Sequence, residues 1–258
     1  MYHIPSLYLA IALFIFILIN YELGYRWGRK LQRESNTEIK NQTQSIQAGV
    51  LGLLALLLGF TFNMAVQRYE SRNDSLIREV NAIGTAQLRL SLLPDSLQFD
   101  LPQLMDEYIQ HRIQFASIHL DEGEQRLQAE REINSIQNQL WASAQQAALI
   151  DPRPVVTGYF IQALNEVFDA RTARIASQNR HVPEVILFLL FLIFALSMAL
   201  IGYSGGLSGR RAYVPTALLN LLIVLVVFII IDLDRPKRGL IQIPTENLSA
   251  LMPVKATE

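Results

Sequence analysis

Charged residues of both signs follow an apolar run near the carboxyl end of the sequence, and their order is unusual. Asp232 and Asp234 come first, and the bases Arg235, Lys237 and Arg238 come after them. Carboxylates form strong hydrogen bonds with guanidinium groups, whereas bases beside a bilayer bind lipid phosphates. The order therefore predicts that the two acids face arginines of the protein and that the three bases face lipid headgroups or water.

Two arginines are the candidate partners of these acids. Arg68 and Arg72 lie one helical turn apart, directly after another apolar run. A chain with four spans places them on the same membrane face as Asp232 and Asp234. We therefore predict interfacial ion pairs among these four residues, because an arginine fork suits a carboxylate at a low-dielectric boundary. The alternative is that both arginines extend toward lipid phosphates.

Exchanging the charges tests this pairing. In Arg72→Asp alone or Asp234→Arg alone, we expect assembly to be lost, because each change leaves two like charges together. The double exchange is expected to restore assembly, which size-exclusion chromatography of the solubilised protein measures. A lack of rescue in every Asp–Arg combination would contradict the prediction.

A stripe of small residues follows helical spacing in the apolar run before Arg68. Its members are Ala48, Gly52, Ala55, Gly59 and Asn63, at intervals of four, three, four and four residues. In lipid, small residues mark places where helix backbones approach closely. The stripe predicts either helix packing within one subunit or a helix at a symmetry axis, where it lines a pore or packs an oligomer.

Phe62 lies beside this stripe. If the chain conducts ions, the phenylalanine could form an apolar constriction that gates by dewetting, and Asn63 could be a ligand at the pore mouth. Asn63 could equally donate a hydrogen bond to a neighbouring helix. The predicted pore-facing or helix-packing residues are therefore Ala48, Gly52, Ala55, Gly59, Phe62 and Asn63.

The sequence has few residues that could bind a metal or cofactor or carry out catalysis. The chain has no cysteine, which excludes disulfides and thiolate metal sites. We predict solvated helix faces, and no metal site, for its four histidines, which are His3, His111, His119 and His181. The sequence has no phosphate-binding loop, dinucleotide fingerprint or nucleophile–base pairing. It predicts no enzyme and no cofactor, and the net charge of -1 gives no sign of nucleic-acid binding.

Four long apolar runs must position these residues. They cover residues 4–19, 46–66, 185–203 and 213–231, and none contains Asp, Glu, Lys or Arg. A helix needs about 20 apolar residues to cross a bilayer. The apolar fraction of 51% and the charged fraction of 17% also favour a membrane protein. We predict four transmembrane helices, joined in pairs by short loops.

The long segment between the second and third spans is polar and shows helical periodicity without strand-like alternation. It predicts a helical extramembrane domain of about four helices, inserted within an all-α fold. The second span and the last helix of this domain are expected to continue across the membrane boundary. The predicted divisions are 1–66 for the first two spans, 67–183 for the inserted domain, 184–231 for the last two spans and 232–258 for the tail.

The sequence gives two opposing indications of the side of the membrane on which the inserted domain lies. The short loops, 20–45 and 204–212, hold seven bases, which places them in the cytoplasm by the positive-inside rule. Arginines also flank the spans on the other face. The loop charges therefore favour an inserted domain outside the cell without deciding the matter.

Several segments together resemble the bestrophin-like family of bacterial membrane proteins, from about residue 46 to about residue 250. They are "GFTFNMAVQRYESR", "VNAIGTAQLR", "LNEVFDARTAR" and "DLDRPKRG". The resemblance implies a multi-pass protein of the bacterial inner membrane.

A more distant similarity to true bestrophins implies a homo-oligomeric anion channel whose second helix lines the pore. In those proteins the middle segment is cytoplasmic, opposite to the side that the loop charges favour. The alternative is a non-conducting scaffold or sensor whose helical domain binds a partner.

Overall fold

The computed structural model describes residues 6–118 and 122–235, together with positions 241, 243, 248 and 251. These residues form α-helices with two short helical turns, and they contain no strand. The predicted all-α class is confirmed. The α-helices in the described part are α1 (Ser6–Lys30), α2 (Thr37–Leu90), α3 (Asp95–Gln98), α4 (Leu101–Ser117), α5 (Gly123–Ile150), α6 (Tyr159–Gln178), α7 (Glu184–Ser208) and α8 (Tyr213–Asp234).

Four of the described helices, α1, α2, α7 and α8, are long and apolar enough to cross a membrane. This confirms the four predicted candidate spans, although three helices end later than predicted. The first was expected to end at Ile19, with a loop from residue 20, but α1 continues to Lys30. The third was expected to end at Tyr203, but α7 continues to Ser208 and ends where Gly209 adopts a φ of 70°. A glycine in this left-handed conformation is a common helix terminus. The fourth reaches Asp234 rather than Ile231.

Helix α2 has 54 residues, so it is about 80 Å long at 1.5 Å per residue. It begins beside Asn36, whose Oδ1 accepts a hydrogen bond from the backbone N–H of Ile39 at 2.9 Å. This contact satisfies one of the free N–H groups of the first turn. The prediction that the second span continues into the polar segment is confirmed, because α2 has no break before Leu90.

The corresponding prediction for the last helix before the third span is wrong. Helix α6 ends at Gln178, and α7 begins only at Glu184. Pro183 explains part of the break, because the residue before a proline disfavours helical geometry. The backbone N–H of Val182 also donates to the Asp234 side chain at 3.0 Å instead of to a helical carbonyl.

The chain divides into two compact units, each with its own core. The first unit comprises Met1–Tyr69 and His181–Ile241, and the second comprises Glu70–Arg180 and Gln242–Glu258. The insertion of one domain within the other and the boundaries drawn from the sequence stay predictions.

Helices α1 and α7 of the first unit pack through glycines on both sides. A β-carbon added at Gly24 would overlap the backbone of Ala199, and one added at Gly202 would overlap the backbone of Tyr21. Gly28 and Gly206, four residues further along each helix, meet the opposite backbone in the same way. The two helices therefore approach each other so closely that neither tolerates a side chain at these positions.

The second unit has a continuous apolar core. Its fully buried side chains come from α2, α4, α5 and α6, and they include Ile83, Ile109, Ile133, Leu140, Phe160 and Leu164. Amphipathic helices of this kind bury one face each and leave their polar faces in water. The core also contains charged side chains, described below.

Candidate functional site

The small-residue stripe lies on the exposed face of α2. Ala48, Gly52, Ala55, Gly59 and Asn63 are all exposed, as is Phe62. A β-carbon added at Gly52 or Gly59 would have no other atom within 4 Å. Within the described chain, the stripe therefore makes no close helix contact at its glycines. Its assignment as pore-facing stays a prediction.

The other faces of α2 differ from the stripe. Leu54, Thr61 and Ala65 are buried and point toward the first unit's other helices. Leu53 and Phe60 lie between the stripe and this buried face, and both are exposed. The uncovered surface of α2 thus has one sector of small residues and one of large apolar side chains.

The two acids at the end of α8 are buried, with exposed fractions of 2% for Asp232 and 3% for Asp234. Oδ2 of Asp232 accepts the backbone N–H of Ile241 at 2.9 Å. Oδ1 of Asp234 accepts the N–H of Val182. His181 lies beside Asp234, with Nδ1 3.6 Å from Oδ2. Both acids therefore face protein: Asp234 holds the backbone that leads into α7, and Asp232 holds the backbone at Ile241, after α8.

Arg68 and Arg72 are the predicted partners of these two acids. Arg72 is buried, and its Nη2 donates a hydrogen bond to the carbonyl oxygen of Arg180 at 2.8 Å. Arg68 is half-buried. The ion pairs of these arginines with Asp232 and Asp234 stay a prediction.

The prediction that Arg235 faces lipid or water is wrong. Its side chain is only 4% exposed, because α8 continues to Asp234 and carries the next residue into the packed end of the unit. Arg235 and Val182 line a small cavity together with apolar side chains of α7 and α8. Lys237 and Arg238 lie outside the described residues.

Two histidines depart from the predicted solvated faces. His181 lies against Asp234, as described above, and His111 lies 3.4 Å from a carboxylate oxygen of Glu132. Both rings are partly buried. His3 and His119 lie outside the described residues.

A group of buried polar side chains in the second unit was not predicted from the sequence. Oε1 of Glu79, on α2, accepts a hydrogen bond from Nε of Arg112 on α4 at 2.6 Å and lies 2.6 Å from its Nη2 in an ion pair. Oε2 accepts one from Nη1 of Arg174 on α6, also at 2.6 Å. We call Glu79, Tyr108, Arg112, Arg171 and Arg174 the buried charge cluster.

Arg171 is the member of the buried charge cluster that pairs with neutral groups. Its Nη1 donates to Oδ1 of Asn134 at 2.7 Å and to Oε1 of Gln137 at 2.6 Å. Within the described residues, it has no carboxylate at ion-pair distance. Its side chain is nevertheless buried, with 7% exposed.

Burial and neighbouring charge set the pKa values in the cluster. Burial raises the pKa of the Tyr108 hydroxyl to about 12. Burial lowers the pKa of Arg171 and that of Arg174. It opposes protonation of Arg112 too, but the attraction of Glu79 leaves the pKa of that guanidinium raised. At neutral pH the tyrosine is therefore uncharged, and the three arginines remain cations.

The periodicity of α2 contains a signal for this cluster. Leu76, Val80 and Ile83 mark an apolar face at helical spacing, and Glu79 lies on the same face. A carboxylate in that position requires a cationic partner, since a buried charge is costly when unpaired. The sequence does not indicate which arginines supply it.

Comparison with known proteins identifies the family to which this chain belongs. A family model for the Bestrophin-like domain matches residues 11–248. The chain belongs to the bestrophin-like family. The match includes most of both compact units, the stripe on α2, the acids of α8 and the buried charge cluster. No curated protein and no solved structure matches the bestrophin-like chain.

Two features of the bestrophin-like protein are candidates for function. One is the uncovered stripe of α2, where small side chains leave space along an apolar helix. The other is the buried charge cluster, where two guanidinium groups bind one carboxylate and a third pairs with neutral amides.

Proposed function

We propose that this bestrophin-like protein assembles into a ring in the bacterial inner membrane and passes small anions along an axis lined by α2. The observation that carries the proposal is the exposure of the small-residue stripe. Small residues suit a narrow path, whereas a helix face in contact with lipid gains from large apolar side chains. We propose a channel rather than an enzyme.

The order of residues along the stripe supports a gated path. Gly52, Ala55 and Gly59 present little bulk, and Phe62 then adds an exposed aromatic ring. An apolar ring at a constriction can expel water and so close a pore without a charged plug. Asn63 follows, and its Oδ1 accepts a long hydrogen bond of 3.4 Å from Gln67. An amide beyond the constriction could exchange hydrogen bonds with a hydrated ion.

Oligomeric state is the first test. We expect the purified protein to form a closed ring, with five copies if the similarity to true bestrophins extends to stoichiometry. Native mass spectrometry in detergent and electron microscopy measure the number and arrangement of subunits. A monomer, or a dimer without an axial path, would contradict the proposal.

Ion flux tests the pore. Gly59→Leu is expected to reduce chloride flux into liposomes to the level of empty vesicles, because the added side chain enters the path. Gly49→Leu is the matched control, since Gly49 is also exposed on α2 with no atom within 4 Å of an added β-carbon but lies off the stripe. Undiminished flux in Gly59→Leu would remove α2 from the axis.

A scaffold or sensor is the second candidate. The observation that favours it is an open groove of about 320 Å³ in the second unit, lined by Arg78, Asn81, Ala82, Thr85, Glu166 and Ala170. Both signs of charge and two neutral polar side chains face this groove, which suits a polar partner segment. A protein that shows no flux and forms no ring would support this candidate.

A further inference from the structure

Among the described residues, the buried charge cluster is not electrically balanced. It holds three guanidinium groups and one carboxylate, that of Glu79, whose two oxygens are engaged by Arg112 and Arg174. In the described part of the chain, Arg171 pairs with neutral amides and with no carboxylate. Glu130 acts on Arg112 and Arg171 from a greater distance, and its side chain is half-exposed. Buried charge without a compensating partner is strongly unfavourable.

Three hydrogen-bond donors in the cluster have no acceptor among the described residues. They are Nη1 of Arg112, Nε of Arg171 and the hydroxyl of Tyr108. All three side chains are more than nine-tenths buried, and Tyr108 is completely so. Leaving a buried donor without an acceptor costs about 1–3 kcal/mol, and more when the donor is charged. One acceptor that reached all three would remove these costs together.

The three side chains lie near one another. Tyr108 and Arg112 are separated by one turn of α4, and Arg171 lies on α6. Their electrostatic effects are mutual, because Tyr108 influences the pKa of both arginines and Arg112 influences that of Arg171. The donors therefore belong to a single environment that is positive and poor in acceptors.

We propose that the buried charge cluster binds one chloride-sized monovalent anion, held by Arg112, Arg171 and Tyr108. A single negative charge would offset part of the excess and accept the three unused hydrogen bonds. A spherical ion accepts bonds from any direction, which suits donors that come from two helices.

The proposal predicts that chloride stabilises the second unit. The Tm of the detergent-solubilised protein is expected to rise with chloride concentration when gluconate keeps the ionic strength constant. Above the Kd, each tenfold increase should raise Tm by about 3–5 °C, because only the folded chain forms the site. Arg153→Gln removes an exposed arginine of the same unit and is expected to keep this dependence.

Arg171→Gln distinguishes anion binding from a structural role. Removing one cation relieves repulsion, and the Asn134 and Gln137 oxygens that lose their donor reach solvent. The variant should therefore be more stable than the parent in gluconate and lose the response to chloride. A merely structural arginine would lower Tm equally in both salts.

Tyr108→Phe removes a single donor and preserves the ring. It is expected to shift the chloride midpoint to a several-fold higher concentration while leaving the protein folded. An equal Tm of the parent protein in chloride and gluconate would overturn the proposal, as would an unchanged chloride response in both variants. The measurement requires no ion flux, so a failure of the pore assignment leaves it intact.

Discussion

Gly202→Leu is expected to yield no folded protein. A β-carbon at this position overlaps the carbonyl oxygen of Tyr21, which belongs to the backbone of α1 and cannot rotate away. Even Gly202→Ala should lower the free energy of unfolding by about 1–3 kcal/mol or more, because overpacking forces the backbones apart. Gly24 makes the reciprocal approach from α1. The fraction of monodisperse protein after size-exclusion chromatography, together with its Tm, measures the effect.

Gly49→Leu is the control for this change. It adds the same side chain to an apolar helix of the first unit, at an exposed position with open space around it. This variant should retain the parental Tm. A Gly202→Leu protein with the same yield and Tm as Gly49→Leu would show that α1 and α7 do not approach closely.

The glycine contacts show why one helix end was predicted wrongly. The predicted loop 204–212 is rich in glycine, which in a soluble protein indicates a turn. In lipid, however, glycine allows helices to pack, and Gly202 and Gly206 repeat the four-residue spacing of Gly24 and Gly28. The spacing was visible in the sequence, but the pairing of α1 with α7 was not.

Features confined to one helix could be predicted, whereas contacts between distant residues could not. The stripe on α2 follows from periodicity alone, and its members share one exposed face. The contact of Asp234 with Val182 joins residues 52 positions apart, and that of Glu79 with Arg174 joins residues 95 apart. Spacing carries no information about such partners. Burial of Arg235 was missed for the same reason, since charge beside a span usually indicates a lipid or water contact.

Glu79→Gln is also expected to cause a large loss of stability. The change removes the only carboxylate at ion-pair distance from Arg112 and Arg174 in the described chain, and it leaves three buried cations together. Breaking a buried ion pair by removing one partner costs about 3–5 kcal/mol. Glu124→Gln, on the exposed first turn of α5, should change stability little.

Tryptophan fluorescence can assign this loss to the second unit. The chain has two tryptophans, and in a Trp27→Phe background only Trp141, which packs against Phe168 of the second unit, remains as a reporter. We expect the unfolding transition of Trp141 to move to lower denaturant concentration in Glu79→Gln.

The double variant Glu79→Gln/Arg174→Gln separates the effect of charge from the loss of packing. It removes one cation together with the carboxylate, so the net charge of the cluster returns to its original value. The double variant should therefore be more stable than Glu79→Gln alone, even though it has lost more hydrogen bonds. Neighbouring changes of this kind are non-additive when they share one charge network. If the two losses simply added, excess positive charge would not be what destabilises the single variant.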